Sequence, residues 1–135
     1  VAPPPSPGTV IRKAADWAAV EAGMHGAIYG DHGTARGLGD GFPYTIAGKT
    51  GTVEKFSRTT DAWDTRVSDA ELAARHRALF ICFTPAEAPR IAVAVVLESA
   101  AWGGKDAAPL ARKILDAWLR SQPDAPATAS TGAGP

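Results

Sequence analysis

The protein has 135 residues, of which 45% are hydrophobic, so the chain is long enough to bury the core of one domain. Its 14 basic and 14 acidic side chains cancel, which gives no electrostatic reason to expect nucleic acid or an anionic membrane as a partner. The only cysteine, Cys82, excludes a disulfide framework within the chain, and His25, His32 and His76 lack the spacing of metal ligands, so neither a metal nor a cofactor is predicted.

The N-terminal part of the chain predicts one helix between two irregular segments. Residues 1–10 are rich in proline and predict an extended lead-in. Residues 11–29 carry apolar side chains at helical spacing, which predicts an amphipathic helix with its apolar row in the core. Residues 30–33 are expected to end this helix, and a glycine-dense turn then runs to Pro43. The apolar row consists of Trp17, Val20, Met24 and Ile28.

Three segments predict strands: residues 44–54, 77–84 and 90–98. The second and third are joined by a short turn and therefore predict a hairpin. The third has too little alternation for a water-facing surface, so both of its faces are expected to be buried. The polar and charged residues 55–75, between the first and second strands, predict a solvated loop with one short helical turn.

A last helix is predicted after the third strand, with Asp106 as its N-cap and Pro109 in its first turn. Residues 121–135 form a Pro/Ala/Ser/Thr/Gly tail that is expected to be disordered. The element order predicts an α+β domain over residues 11–120, with a three-stranded antiparallel meander backed by an N-terminal and a C-terminal helix. The apolar face of the last helix is predicted to consist of Leu110, Ala111, Ile114, Leu115, Trp118 and Leu119.

The segment from Gly48 to Thr52 (GKTGT) carries the chemical signal of the sequence. A phosphate-binding loop would need a glycine five positions before Gly48, where Pro43 stands, and a helix beginning at the lysine, where a strand is predicted. Lys49-Thr50-Gly51 instead matches the Lys-Thr-Gly triad of serine penicillin-recognising enzymes. Because such a tripeptide occurs by chance in about one chain in fifteen, its position in a strand that precedes a hairpin and a closing helix carries more weight.

A longer pattern supports the same interpretation. Residues 23–26 (GMHG), 33–36 (GTAR), 43–52 (PYTIAGKTGT), 77–85, 91–98 and the glycine turn at 103–104 resemble class B penicillin-binding protein 2, a peptidoglycan D,D-transpeptidase. The resemblance spans about residues 14–120 and implies part of the serine β-lactamase and penicillin-binding transpeptidase fold. The long segment between the first two strands favours the synthetic enzyme, because class A β-lactamases join these strands by a tight turn.

The resemblance also implies roles for the motif residues. Lys49 would supply positive potential and a hydrogen bond to the serine of the family's second motif. The hydroxyls of Thr50 and Thr52 would bind the terminal carboxylate of a D-Ala-D-Ala stem peptide, and the Thr52 backbone N–H would be one oxyanion donor. Gly51, without a side chain, would let the peptide lie close to the strand.

Two of the family's three active-site motifs are missing from this sequence. No serine is followed by a lysine three places on, and the chain has no asparagine, so neither Ser-x-x-Lys nor Ser-x-Asn is present. The nucleophile is therefore expected elsewhere in a longer protein, and this chain alone is expected to be inactive. Its start at Val1, without a signal peptide, also suggests a fragment.

The resemblance further implies peptidoglycan stem peptides and β-lactams as ligands, and a membrane glycan polymerase of the elongation machinery as a partner. It implies a location at the periplasmic face of the bacterial inner membrane. Two alternatives remain open: a class D β-lactamase or penicillin-sensor domain of the same fold, and a non-catalytic structural or interaction module.

Three geometric expectations follow. The motif strand should lie at a sheet edge, with the middle strand central. The outer edge of the third strand should be bare or satisfied by another chain, which would favour aggregation. Lys49, Thr50 and Thr52 should share one accessible surface without a nucleophilic serine nearby, although strand alternation would put Lys49 on the opposite side.

Overall fold

The computed structural model describes residues 13–54 and 76–122. The predicted lead-in, the predicted loop at 55–75 and nearly all of the predicted tail lie outside these residues. The elements are α1 (Ala14–Tyr29), β1 (Ala47–Glu54), β2 (His76–Thr84), β3 (Ile91–Glu98), a π-helical turn (Gly103–Ala107) and α2 (Ala108–Arg120). No helix in the described ranges is both long and apolar enough to span a membrane.

The three strands form one antiparallel sheet in the order β1-β2-β3. Among the described strands, the meander, the central position of the middle strand and the edge position of the motif strand are therefore confirmed. β1 begins at Ala47, three residues later than predicted, because the chain at Thr45 bonds to the turn after β2. The Thr45 carbonyl accepts hydrogen bonds from the Ala86 N–H at 2.8 Å and from the Thr84 hydroxyl at 3.0 Å.

The expectation that β3 buries both faces is wrong. Val93 and Val95 are each 9% exposed, whereas Val96 is 59% exposed and Ala94 is also exposed. Side chains alternate across a strand, and among the described elements α2 packs on only one face of the sheet. On that face Phe80 of β2 is fully buried.

The apolar row predicted for the first helix is also mostly outside the core. Ile28 is buried, but Trp17 and Val20 are 42% and 51% exposed. The described elements contact the C-terminal end of α1: the Tyr29 hydroxyl accepts the Ile46 N–H at 3.2 Å, while residues 13–20 are exposed. The stop at Gly30 is confirmed, since α1 ends at Tyr29.

The last helix differs from the prediction at its start and in the width of its buried face. Asp106 is not the N-cap of α2, because the chain is already helical from Gly103 and the Asp106 carboxylate instead accepts the Trp102 N–H at 2.8 Å. Pro109 lies in the first turn as predicted. The buried stripe consists of Ala108, Ala111, Leu115 and Leu119, whereas Leu110 and Ile114 are 38% and 46% exposed.

One core joins the sheet, α2 and the segment that follows α1. Ile28, Leu38, Phe42 and Ile46 pack in the same buried cluster as Phe80 of β2. Since this cluster includes residues on both sides of the glycine-dense turn, the turn is held against the sheet close to the motif strand.

Candidate active site

The motif residues lie along an edge strand and face alternate sides of the sheet. Thr50 pairs with Phe80, whereas Lys49 pairs with Ile81. Phe80 is fully buried and Ile81 is 51% exposed, so Thr50 lies on the helix-covered face and Lys49 lies on the open face. Thr52, two residues after Thr50, shares its face. The expectation of one common surface for the three residues is therefore wrong, because strand alternation is retained through the glycine.

Lys49 is exposed and makes a local contact. Its Nζ donates a hydrogen bond to the Thr50 carbonyl at 2.8 Å. Within the described ranges no carboxylate lies within ion-pair distance of this ammonium. The lysine is thus neither buried nor neutralised by a neighbour in this part of the chain.

A cleft of about 440 Å³ opens on the face that carries Thr50 and Thr52. One wall is the motif strand, and the opposite wall is the turn that leads into α2. Most of its surface is apolar, and no serine of the described residues lines it. The lining residues are Thr34, Thr50, Thr52, Trp102, Gly103, Gly104 and Lys105.

A hydrogen bond and close backbone contacts connect the walls of the cleft. The hydroxyls of Thr34 and Thr50 are hydrogen-bonded at 2.8 Å, which joins the glycine-dense turn to the motif strand. A Cβ added at Gly104 would overlap the Thr34 carbonyl. Glycine is therefore required at position 104 so that the turn before α2 can approach the turn after α1.

The space that a side chain at position 51 would occupy faces β2 and not the cleft, where the absent side chain was expected to make room for a peptide. A Cβ at this position would lie 3.3 Å from the Leu79 Cβ, on the same face as Lys49. The absent side chain thus avoids crowding against β2 on the face opposite the cleft. The backbone of Gly51 also lies against Gly103, where an added Cβ would stand 3.0 Å from the Gly51 nitrogen.

Cys82 offers no alternative nucleophile. The thiol is buried beneath the sheet, and burial raises the pKa of Cys82 to about 11. The neutral thiol is a poor nucleophile, so this residue acts as a small apolar side chain of the core. In the described ranges, the His, Cys, Asp and Glu side chains form no group of three or more that could hold a metal ion.

Sequence reasoning assigned only Thr50 and Thr52 of the lining residues to the site; it missed Thr34, Trp102, Gly103, Gly104 and Lys105. Thr34 and the Gly103-Gly104 pair lie in segments that carried the resemblance, and this is the only signal that pointed towards them. Nothing local in the sequence indicates that Trp102, fifty residues after Thr52, faces the motif strand. That proximity depends on how the turn after β3 folds back over the sheet.

Comparison with known proteins gives the same family as the sequence resemblance. A family model described as the penicillin binding protein transpeptidase domain matches residues 1–116. The chain is similar to the peptidoglycan D,D-transpeptidase MrdA of Haemophilus influenzae, with 35% identity over 111 residues, 82% of this chain and 17% of the relative. It is 40% identical to the MrdA protein of Acinetobacter baumannii over 106 residues, 77% of this chain and 15% of the relative.

A solved structure is similar along the whole chain. The crystal structure of Pseudomonas aeruginosa PBP2 in complex with WCK 5153 matches with a TM-score of 0.67 and 37% identity, covering 100% of this chain and 25% of that chain. The present chain thus spans less than a fifth of the length of the curated relatives that it matches.

Proposed function

This chain belongs to the penicillin-binding protein transpeptidase domain family, and we propose that it is the part of a peptidoglycan D,D-transpeptidase that binds the donor peptide along an edge strand. The observation that carries the proposal is the position of Thr50 and Thr52. Both side chains line an open cleft beside a strand that has no second neighbour among the described residues. A peptide can therefore bind beside this strand and reach both hydroxyls.

The free edge of β1 also offers backbone groups to a substrate. In an edge strand, every second residue directs its N–H and C=O away from the paired neighbour. The Thr50 carbonyl accepts a hydrogen bond from the Lys49 ammonium. This contact is possible if the carbonyl lies on the unpaired side of β1. Thr52, two residues further on, has its N–H on the same side, where it can donate to an oxyanion.

The reaction divides into two acyl transfers. A serine outside this chain attacks the carbonyl between the two D-alanines, the terminal D-alanine leaves with a proton, and a serine ester forms. An amine of a neighbouring stem peptide then attacks the ester, releases the serine and forms the cross-link. The Thr52 N–H stabilises the negative charge of each tetrahedral intermediate, an interaction that contributes about 3 kcal/mol in comparable enzymes.

Lys49, on the open face of the sheet, is proposed to contact a residue outside this chain. Its exposed ammonium is proposed to donate a hydrogen bond to the serine of the second motif, which lies elsewhere in the parent protein. There it would hold positive potential next to the reacting groups. Gly51, between the two threonines, keeps the strand regular and free of a side chain that would crowd β2.

Covalent labelling with a fluorescent penicillin tests the proposal. The parent protein should label, and Lys49→Met should lower its rate of acylation sharply, because the serine loses its cationic partner. The matched control Lys113→Met removes the same charge from an exposed site on α2 and should leave the rate unchanged.

The 135-residue chain by itself should remain unlabelled, because it holds neither Ser-x-x-Lys nor Ser-x-Asn. Stoichiometric labelling of this chain would contradict the assignment of the nucleophile to another part of the parent. A parent protein that resists labelling altogether would overturn the proposed activity.

The cellular location and the partner of the parent protein are part of the same proposal. A peptidoglycan transpeptidase acts on the periplasmic side of the inner membrane, and a glycan polymerase of the elongation machinery is proposed as its partner. The class D β-lactamase, penicillin-sensor and interaction-module alternatives gain no support, since the curated relatives named above are D,D-transpeptidases.

A further inference from the structure

The cleft beside Thr50 and Thr52 contains a cation, and that cation is not the lysine of the motif. Lys49 lies on the opposite face of β1, whereas Lys105 lines the cleft together with the two threonines. The remaining lining residues are uncharged. Among the described residues that line the cleft, the positive charge therefore belongs to Lys105.

The described surroundings of Lys105 give its ammonium an aromatic neighbour and no counter-charge. Its Nζ lies 5.9 Å from the centroid of the Trp102 ring, within the range of a cation–π contact. Trp102 lines the same cleft and is 42% exposed, so the cation–π contact joins two residues of the cleft wall. Across residues 13–54 and 76–122, no carboxylate forms an ion pair with Lys105.

The nearest acidic residue in sequence is engaged elsewhere. The Asp106 carboxylate accepts the Trp102 N–H at 2.8 Å and does not line the cleft. This hydrogen bond fixes the start of the π-helical turn, which carries Lys105. The lysine is thus presented by a short, tightly hydrogen-bonded segment rather than by a free loop.

The groups that converge in the cleft are suited to a carboxylate. Hydroxyl groups and an ammonium can all donate hydrogen bonds to it, and those from a charged donor are the stronger kind. We propose that Lys105, held against Trp102, binds the terminal carboxylate of the donor peptide together with the hydroxyls of Thr50 and Thr52. Lys105 is then the residue that selects peptides ending in a free carboxylate. This inference rests on the proposed function and assigns a substrate-binding residue outside the motif.

Peptide binding to the 135-residue chain tests the assignment without requiring acylation. The probes are an N-acetylated peptide ending in D-Ala-D-Ala with a free carboxylate, and the same peptide with a C-terminal amide. Shifts of the backbone amide signals of Thr50 and Thr52 in ¹⁵N NMR give the Kd of each probe. For the unaltered chain, the carboxylate peptide should bind more tightly than the amide.

Lys105→Met should weaken binding of the carboxylate peptide about tenfold, because one charge-assisted hydrogen bond is lost. The same variant should leave binding of the amide peptide nearly unchanged. Lys105→Arg should retain most of the affinity for the carboxylate. Lys113→Met, which removes an exposed lysine that does not line the cleft, should bind both peptides like the unaltered chain.

Equal affinity of Lys105→Met and Lys113→Met for the carboxylate peptide would overturn the assignment of Lys105. So would equal binding of the two peptides, or no binding of either, by the unaltered chain. Penicillin labelling of the parent decides the proposed function separately. A parent that labels normally while Lys105→Met binds normally would leave the transpeptidase intact and remove only this inference.

Discussion

At Gly103 the backbone lies directly against the motif strand. A Cβ at this position would stand 2.5 Å from the Leu79 carbonyl oxygen and 2.7 Å from that of Gly51. Both contacts are to backbone atoms of paired strands, which cannot move without breaking the ladder. The position of the neighbouring Trp102, and with it one wall of the cleft, depends on the absence of a single side chain.

Gly103→Ala should therefore lower the free energy of unfolding by about 1–3 kcal/mol, the usual cost of overpacking, and should displace the Trp102 wall. Urea denaturation measures the stability. The matched control is Gly23→Ala in α1, where an added Cβ would meet nothing within 4 Å. Because alanine favours a helix, that variant should gain about 0.5–1 kcal/mol. A stability of Gly103→Ala equal to that of the control would contradict the close approach.

Among the elements, α2 shows how one-sided packing decides what a helix buries. Its sequence carries a wide apolar face, but only the stripe that meets the sheet is buried. Leu115 is 0% exposed, whereas its neighbour Ile114 is 46% exposed. Of two adjacent apolar residues in one helix, one is thus fully buried and the other is nearly half exposed.

The adjacent pair gives a matched test. Leu115→Ala should lower the free energy of unfolding by about 2–5 kcal/mol, since a buried side chain is removed and a cavity remains. Ile114→Ala should change it by no more than about 0.5 kcal/mol, as is usual for exposed positions. Thermal or urea unfolding of the two variants measures the difference. Similar losses for both would show that the described face of α2 is not the buried one.

At the scale of the whole molecule, Arg112 joins α2 to the segment that carries Thr34. Its guanidinium donates to the Leu38 carbonyl at 2.5 Å and to the Asp40 carbonyl at 2.9 Å. It also pairs with Asp116 at 2.9 Å and lies over the Phe42 ring at 5.0 Å. Three of these contacts, to Leu38, Asp40 and Phe42, connect regions seventy or more residues apart in sequence.

Arg112→Met should lower the free energy of unfolding by about 2–4 kcal/mol, because it leaves partly buried carbonyl groups without their donor. It should also weaken peptide binding in the cleft, since the segment that carries Thr34 loses its attachment to α2. Arg120→Met removes an exposed arginine in the last turn of the same helix and should cost less than about 1 kcal/mol. If the two variants unfold alike, Arg112 does not join these parts of the molecule.

The sheet also has an open face, where Ile81 and Val96 are 51% and 59% exposed. No fourth strand pairs with β3 in the part of the chain that the structure describes. The prediction of an outer edge without a strand is consistent with this arrangement. The associated tendency to aggregate stays a prediction, with its physical basis in an exposed edge next to apolar side chains.

The sequence alone determined the elements and the family, since both depend on patterns that are local along the chain. Apolar and β-branched runs bounded by turn residues predicted the strands to within a few residues, the glycine after Tyr29 predicted the end of α1, and Lys49-Thr50-Gly51 with its flanking segments predicted the family. These features depend on backbone preferences and side-chain spacing within about ten residues.

Only the tertiary structure decided which faces are buried and which residues meet. Periodicity indicates that a strand has two faces, but the position of α2 determines that Val95 is covered and Val96 is not. In the same way, alternation separates Lys49 from Thr50, and the turn before α2 brings Lys105 to the cleft from fifty-five residues further along the chain. Contacts of this kind depend on how separate elements pack, so no local pattern in the sequence specifies them.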